Sequence, residues 1–118
     1  MPKPDPRSRL HAFARCKVHH LRLHVLRGRA AVVWGAGPVG KLQARVLMEA
    51  GVEVASFVEV DERKIGKRIY GIPVAAHDDG PRDGVVLGAV AGDAARARLR
   101  ELAREQGRIE GDDFVVVA

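Results

Sequence analysis

The residues with the clearest chemical signal in this 118-residue chain are Gly35-Ala36-Gly37-Pro38-Val39-Gly40, a complete G-x-G-x-x-G. The chemistry it suits is phosphate binding. Gly35 permits a tight strand-to-helix turn, Gly37 lets a pyrophosphate approach the backbone, and Gly40 lets the helix pack closely on the strand. Free N–H groups and the positive end of the helix dipole then favour an anion. The spacing alone is common, so its context matters. Ala30 to Trp34 is an apolar, partly β-branched run that reads as a strand buried on both faces. A helical pattern follows, with Val39, Leu42, Gln43, Val46, Leu47 and Ala50 on one side and Gly51 at its end. Pro38 suits the first helical turn, and Val52 to Val60 reads as a second strand. The competing reading is a βαβ turn whose glycines serve packing and bind nothing.

A ribose-binding acid belongs at the tip of the second strand. Glu59 stands nineteen residues after Gly40 and Asp61 twenty-one after it. Strand alternation puts both on one side, and Glu59 is the favoured one. An acid there selects a free ribose 2′-OH, yet Arg63, Lys64, Lys67 and Arg68 follow at once and could neutralise a phosphate. The choice between NAD and NADP therefore stays open. The candidate binding set is Gly35, Ala36, Gly37, Pro38, Val39, Gly40, Glu59, Asp61, Arg63 and Gly92, the last from a loop, Ala91-Gly92-Asp93, expected to face the glycines. Arg96 reads as a solvent-facing helix arginine. Trp34, the single tryptophan, precedes Gly35, and its emission is expected to report on the loop.

No catalytic set is visible, and the chain reads as a binding module rather than an enzyme by itself. Ser8 and Ser56 are the only serines, and Ser56 lies inside a strand. Cys16, the single cysteine, reads as a small buried hydrophobe; it excludes an internal disulfide and a multi-thiolate zinc site. His77 reads as a loop histidine.

The remaining elements must position these groups. Gly71-Ile72-Pro73-Val74 reads as a turn into a short edge-like strand, because Pro73 cannot donate to a ladder. His77 to Pro81 is a polar turn or a helical stub. Gly84 to Val90 is another buried strand. Asp93 is the expected N-cap of a helix running to about Gln106, with Ala95, Leu99, Leu102 and Ala103 inward and Gly107 at its end. Phe114 to Ala118 is the last strand. Alternating strands and helices predict an α/β fold: one parallel sheet of about five strands, order 3-2-1-4-5, flanked by helices. Ligands in such sheets bind at the carboxyl ends of the strands, where the strand order reverses.

Charge divides the chain into an arm, residues 1–29, and a domain, residues 30–118. The arm sets eight basic residues against Asp5 alone, a net of +7, whereas the other 12 basic and 14 acidic residues leave −2. Met1 to Pro6 reads as extended. Leu10, Ala14, Val18, Leu21 and Val25 then share one face of an amphipathic helix, with Phe13 and Cys16 flanking it and Gly28 at its end. The favoured role is a helix docking on its own domain; a partner-protein surface comes second. Nucleic acid is disfavoured because no aromatics interleave with the basic residues. The histidines, including the i,i+4 pair His20/His24, read as solvent-facing. No apolar run is long enough for a membrane span, Met1 to Arg9 lacks a signal-peptide core, and a cytoplasmic location is the expectation. A homodimer is expected, to cover the edge strand and the arm's apolar stripe.

Beyond the glycine loop, the run Val-Val-Trp-Gly-Ala-Gly-Pro-Val-Gly-Lys from Val32, followed by Phe57 to Val74 with its acids, Lys-Ile-Gly and Gly-Ile-Pro-Val, resembles small Rossmann-like domains attached to sugar-modifying enzymes. These are the nucleotide-sugar-binding domains of sialic-acid-type sugar O-acyltransferases and the Rossmann-like regions after the catalytic domain of some bacterial family 2 glycosyltransferases. The resemblance covers about residues 30–118. It implies a nucleotide or nucleotide sugar around Gly35, Gly37 and Gly40, with Glu59 or Asp61 as the strand-tip acid. It also implies a transferase domain as partner, joined through the N-terminal helix. The usual strand-tip Asp aligns with Glu59 here. The glycine loop with Pro38 also resembles the opening of flavin- and pyridine-nucleotide disulfide oxidoreductases, which need a cysteine pair and a longer chain. An NAD(P)- or FAD-linked oxidoreductase domain, and a ligand-free interaction domain using the basic arm, are the alternatives.

Overall fold

The computed structural model describes residues 19–117. Leu10, His11, Phe13, Ala14, Cys16 and Val18 of the expected arm helix lie outside them.

A six-stranded sheet forms the centre. Its strands are β1 (Ala31–Trp34), β2 (Val54–Glu59), β3 (Arg68–Ile69), β4 (Ile72–Ala76), β5 (Val85–Gly88) and β6 (Phe114–Val116). The order is β3-β4-β2-β1-β5-β6. All pairs are parallel except β3 with β4. Without β3 this is the expected 3-2-1-4-5 arrangement. Helix α1 (Pro38–Glu49) links β1 to β2, and α2 (Asp93–Glu105) links β5 to β6.

The sixth strand corrects the five-strand expectation. Tyr70 and Gly71 both take positive φ, 54° and 76°, and fold β3 back antiparallel on β4 as a tight hairpin. Hence β4 is not the edge strand that Pro73 suggested. Pro73 pairs with Arg68 instead.

The all-apolar β1 is buried between two layers, and its alternation assigns each residue to one of them. Ala31 and Val33 join Phe57, Leu87 and α1's Ala44 and Leu47. Val32 and Trp34 join Val58, Val86 and α2's Leu99, Leu102 and Ala103. Two helix details differ from expectation. Gly92, not Asp93, caps α2, and Ala95 is exposed. Val39 is 39% exposed at the start of α1, while Ala44 takes a core place.

At the N-terminal end, a π-helical turn (Arg22–Leu26) leads to Gly28, which has φ 82°. Leu21 and Leu26 pack into the α1-side core. The π turn brings Leu26 inward beside the expected Leu21. Arg29 donates to the Val25 and Asp112 carbonyls, both at 2.7 Å.

No helix joins β4 to β5. The loop between them lies on the α2-side face, where Gly80 comes so close to Val58 that a Cβ would stand 2.7 Å from its Cγ2. Buried Arg108 holds this loop. Its Nη1 donates to the Gly84 and Asp113 carbonyls (2.9 and 3.2 Å), and its Nη2 to those of Pro81 and Arg82 (both 3.1 Å). Desolvation pulls the guanidinium pKa below the ordinary arginine value, opposed by nearby Asp113. Gln106 Nε2 adds a bond to the His77 carbonyl at 2.7 Å.

Candidate nucleotide site

The strand order reverses at β1, whose neighbours β2 and β5 lead the chain in opposite directions. At their carboxyl ends lies a cavity of about 190 Å³. Gly35, Gly37, Pro38, Val39, Glu59, Lys64, Ala89, Val90 and Ala91 line it. The location is the one this class of sheet offers to ligands.

Backbone bonds set the walls. Gly35 N–H donates to the Val58 carbonyl (2.9 Å), and Ala89 N–H to that of Trp34 (2.8 Å). Gly35 has φ 112°, and a Cβ there would sit 2.6 Å from the Ala89 oxygen. A Cβ on Gly40 would run into the Gly35 carbonyl oxygen. Gly37 differs: its φ is −85°, and a Cβ would meet only Lys64 Nζ, at 3.7 Å. It begins α1 with no side-chain cap and no acidic residue in the first turn. This helix end therefore presents positive potential to the cavity.

Glu59 is 8% exposed and turns back on the loop. Its Oε1 accepts from Ala36 N–H at 2.9 Å. Its Oε2 accepts from Val60 and Asp61 N–H at 2.9 and 3.1 Å. Lys64 Nζ lies 3.8 Å from Oε1. The carboxylate thus ties the β2 tip to the glycine loop.

The other expected site residues fall elsewhere. Ala36 is buried and contributes its N–H to Glu59. Gly40 sits behind Gly35, off the cavity. Asp61 and Arg63 do not line it either, because β2 ends at Glu59 and strand alternation does not reach Asp61. Asp61 instead binds Arg63: Oδ1 accepts from the Arg63 N–H and Nε (both 3.1 Å), and Oδ2 from Nη2 (3.0 Å). Gly92 is also off the lining, with nothing within 4 Å of a Cβ there. Arg96 pairs with Asp93 at 3.1 Å. His77 stands with its ring 6.3 Å from that of Trp34. Trp34 itself is buried on the α2 side and does not line the cavity; Val90 of the cavity wall packs against the same cluster. The His20 and His24 rings lie 4.6 Å apart, tilted by 42°, and no group of three metal-ligating side chains occurs among the described residues.

The Asp61–Arg63 pair carries a pH prediction. The Arg63 side-chain bond, then its backbone N–H, holds the Asp61 pKa below the ordinary aspartate value. A depressed carboxylate pKa means the interaction is present above the ordinary value and lost as pH falls through the lowered one. A carboxyl-carbon NMR titration should show Asp61 protonating below the ordinary aspartate value, with Arg63→Gln moving it back up. A midpoint unchanged by that substitution would contradict the pairing.

No protein-family model matches the chain, and no curated protein matches it in sequence. Solved structures do. UDP-D-quinovosamine 4-dehydrogenase from Vibrio fischeri superposes with a TM-score of 0.55 at 15% identity, over 76% of this chain and 78% of that one. RSP, a Rex-family repressor, gives 0.57 at 13% identity, over 78% of this chain and 54% of that one. RSP in complex with beta-NADH gives 0.61 at 13% identity, over 95% and 67%. Among the described residues no helix is long and apolar enough to cross a membrane. At these identities the likeness is one of fold: the chain forms a Rossmann-like α/β domain.

Proposed function

We propose that this domain binds a nucleotide, with a phosphate seated on the glycine loop in the cavity at the ends of β1, β2 and β5. The contrast among the three glycines carries the reading. Packing accounts for Gly35 and Gly40, but it does not account for Gly37. The side chain Gly37 lacks would project towards Lys64 on the cavity wall, at an uncapped helix start. That absence leaves the backbone open to an approaching group, beyond glycine's suitability as the helix N-cap.

Gly35, Gly37, Pro38, Val39 and Glu59 are the binding residues of this proposal. Glu59 disfavours a 2′-phosphate, placing NAD(H) and nucleotide sugars ahead of NADP(H). In the first reading the domain does no chemistry of its own and presents or senses the nucleotide for a glycosyl- or acyltransferase domain, joined through the N-terminal segment. The second reading, part of an NAD-linked oxidoreductase, is favoured by the likeness to a UDP-sugar dehydrogenase; the NADH complex of the RSP repressor supports NADH as a ligand under either reading.

Calorimetric titration with NADH, NADPH, FAD and a panel of UDP-sugars tests this. One ligand should bind saturably at micromolar concentration, and Gly37→Ala should weaken it at least about tenfold, as expected when a phosphate loses close backbone approach. The variant's stability should stay within about 1 kcal/mol of the parent, the scale of a changed N-cap. A sugar nucleotide as best ligand supports the first reading, and NADH the second. No binding to the folded protein overturns both.

A further inference from the structure

We propose that Lys64 is the phosphate-selecting residue of this site, so that the domain takes phosphorylated nucleotides and rejects the corresponding nucleosides. The inference rests on the nucleotide reading above and adds a residue and a selectivity to it.

Lys64 does not belong to the glycine motif, and the turn after β2 delivers it there. That turn is anchored at both ends. Lys64 N–H donates to the Asp61 carbonyl at 3.0 Å, and Gly66 N–H to that of Val74 at 2.9 Å. In return, Val74 N–H donates to the Lys67 carbonyl at 2.9 Å. The side chain lines the cavity, with Nζ 3.7 Å from where a Gly37 Cβ would be.

The electrostatics of that position ask for an anion. The start of a helix disfavours a cation, yet the fold puts an ammonium beside one. Glu59 is ion-paired with it at 3.8 Å, too long for a hydrogen bond, and that carboxylate is shared with three backbone N–H groups, so the ammonium keeps donors for a second anion. A phosphate on the glycine loop would satisfy the helix start and the ammonium together. The Lys64 side chain is 42% exposed, so it can adjust to that phosphate without disturbing the core.

The test is calorimetric, on the full chain, with ADP, adenosine and inorganic pyrophosphate as probes. Wild type should bind ADP at least about tenfold more tightly than adenosine, the scale of one charge-assisted hydrogen bond. Lys64→Met should remove most of that difference by weakening ADP and pyrophosphate while leaving adenosine unchanged. Lys64→Arg should retain the preference. Matching melting temperatures would show that the fold is intact. If wild type binds ADP and Lys64→Met keeps the same ADP-to-adenosine ratio, the inference fails and the nucleotide reading stands. If wild type binds neither ADP nor any ligand of the nucleotide panel, both fail.

Discussion

Gly40→Ala is expected to abolish cooperative folding, or to destabilise the domain by more than about 4 kcal/mol, a loss seen only for severe steric or burial defects. The added methyl would meet the Gly35 carbonyl, a backbone atom in the turn that joins β1 to α1. A flexible side chain could swing away; this oxygen cannot. Gly35 is itself pinned by its bond to Val58 and by its approach to Ala89. Relief would require α1 to lift off β1, parting Ala44 and Leu47 from Val33 and Phe57. Thermal unfolding by circular dichroism reads this directly. One kcal/mol corresponds to roughly 4–8 °C in a domain of this size. A Gly40→Ala melting point within a few degrees of wild type would show that α1 is less tightly seated than its geometry implies. The Gly37→Ala variant is the control, since the same methyl three residues earlier meets only Lys64 Nζ.

Arg108→Met should lower stability by about 3 kcal/mol, or roughly 12–24 °C in melting temperature. The guanidinium fork serves four carbonyls at once, three of them from the loop that stands where a covering helix is absent. Methionine fills similar space but leaves those oxygens without donors and Asp113 without its nearby cation. Arg108→Lys should recover only part of the loss, because an ammonium has three donors and no planar fork. Hydrogen exchange should locate the damage: amides near Pro81 to Gly84 lose protection first. Uniform loss across the sheet, or a change below about 1 kcal/mol, would mean that water replaces the arginine at little cost.

Much of this was legible in the sequence. The strand–glycine loop–helix–strand unit shows itself because each part is local: β-branched apolar residues, a glycine spacing, Pro38 at a helix start and a helical repeat. The parallel order of five strands was expected from an alternation of strands and helices, although helices make only the β1–β2 and β5–β6 links. The turn at Gly71 shows in the sequence, but the strand before it does not, because Arg68–Ile69 is two residues long and carries no alternation. Arg108 carries no local signal in the sequence. Only the folded chain brings Pro81, Arg82 and Gly84 around it, across 24 to 27 residues of sequence.

The same division runs through the candidate site. By itself, the sequence determined that a glycine loop opens a helix at the end of a buried strand, because periodicity and glycine chemistry act within a few residues. It did not determine which nearby charges reach that loop. Glu59, Asp61, Arg63 and Lys64 are near neighbours in sequence, and their separation says nothing about direction. Tertiary structure decided it by ending β2 at Glu59 and anchoring the next turn on β4. Glu59 then reaches the Ala36 amide 23 residues away, Asp61 and Arg63 satisfy each other, and Lys64 swings over Gly37. A side chain's direction depends on where its backbone is held, and strand pairing holds it here.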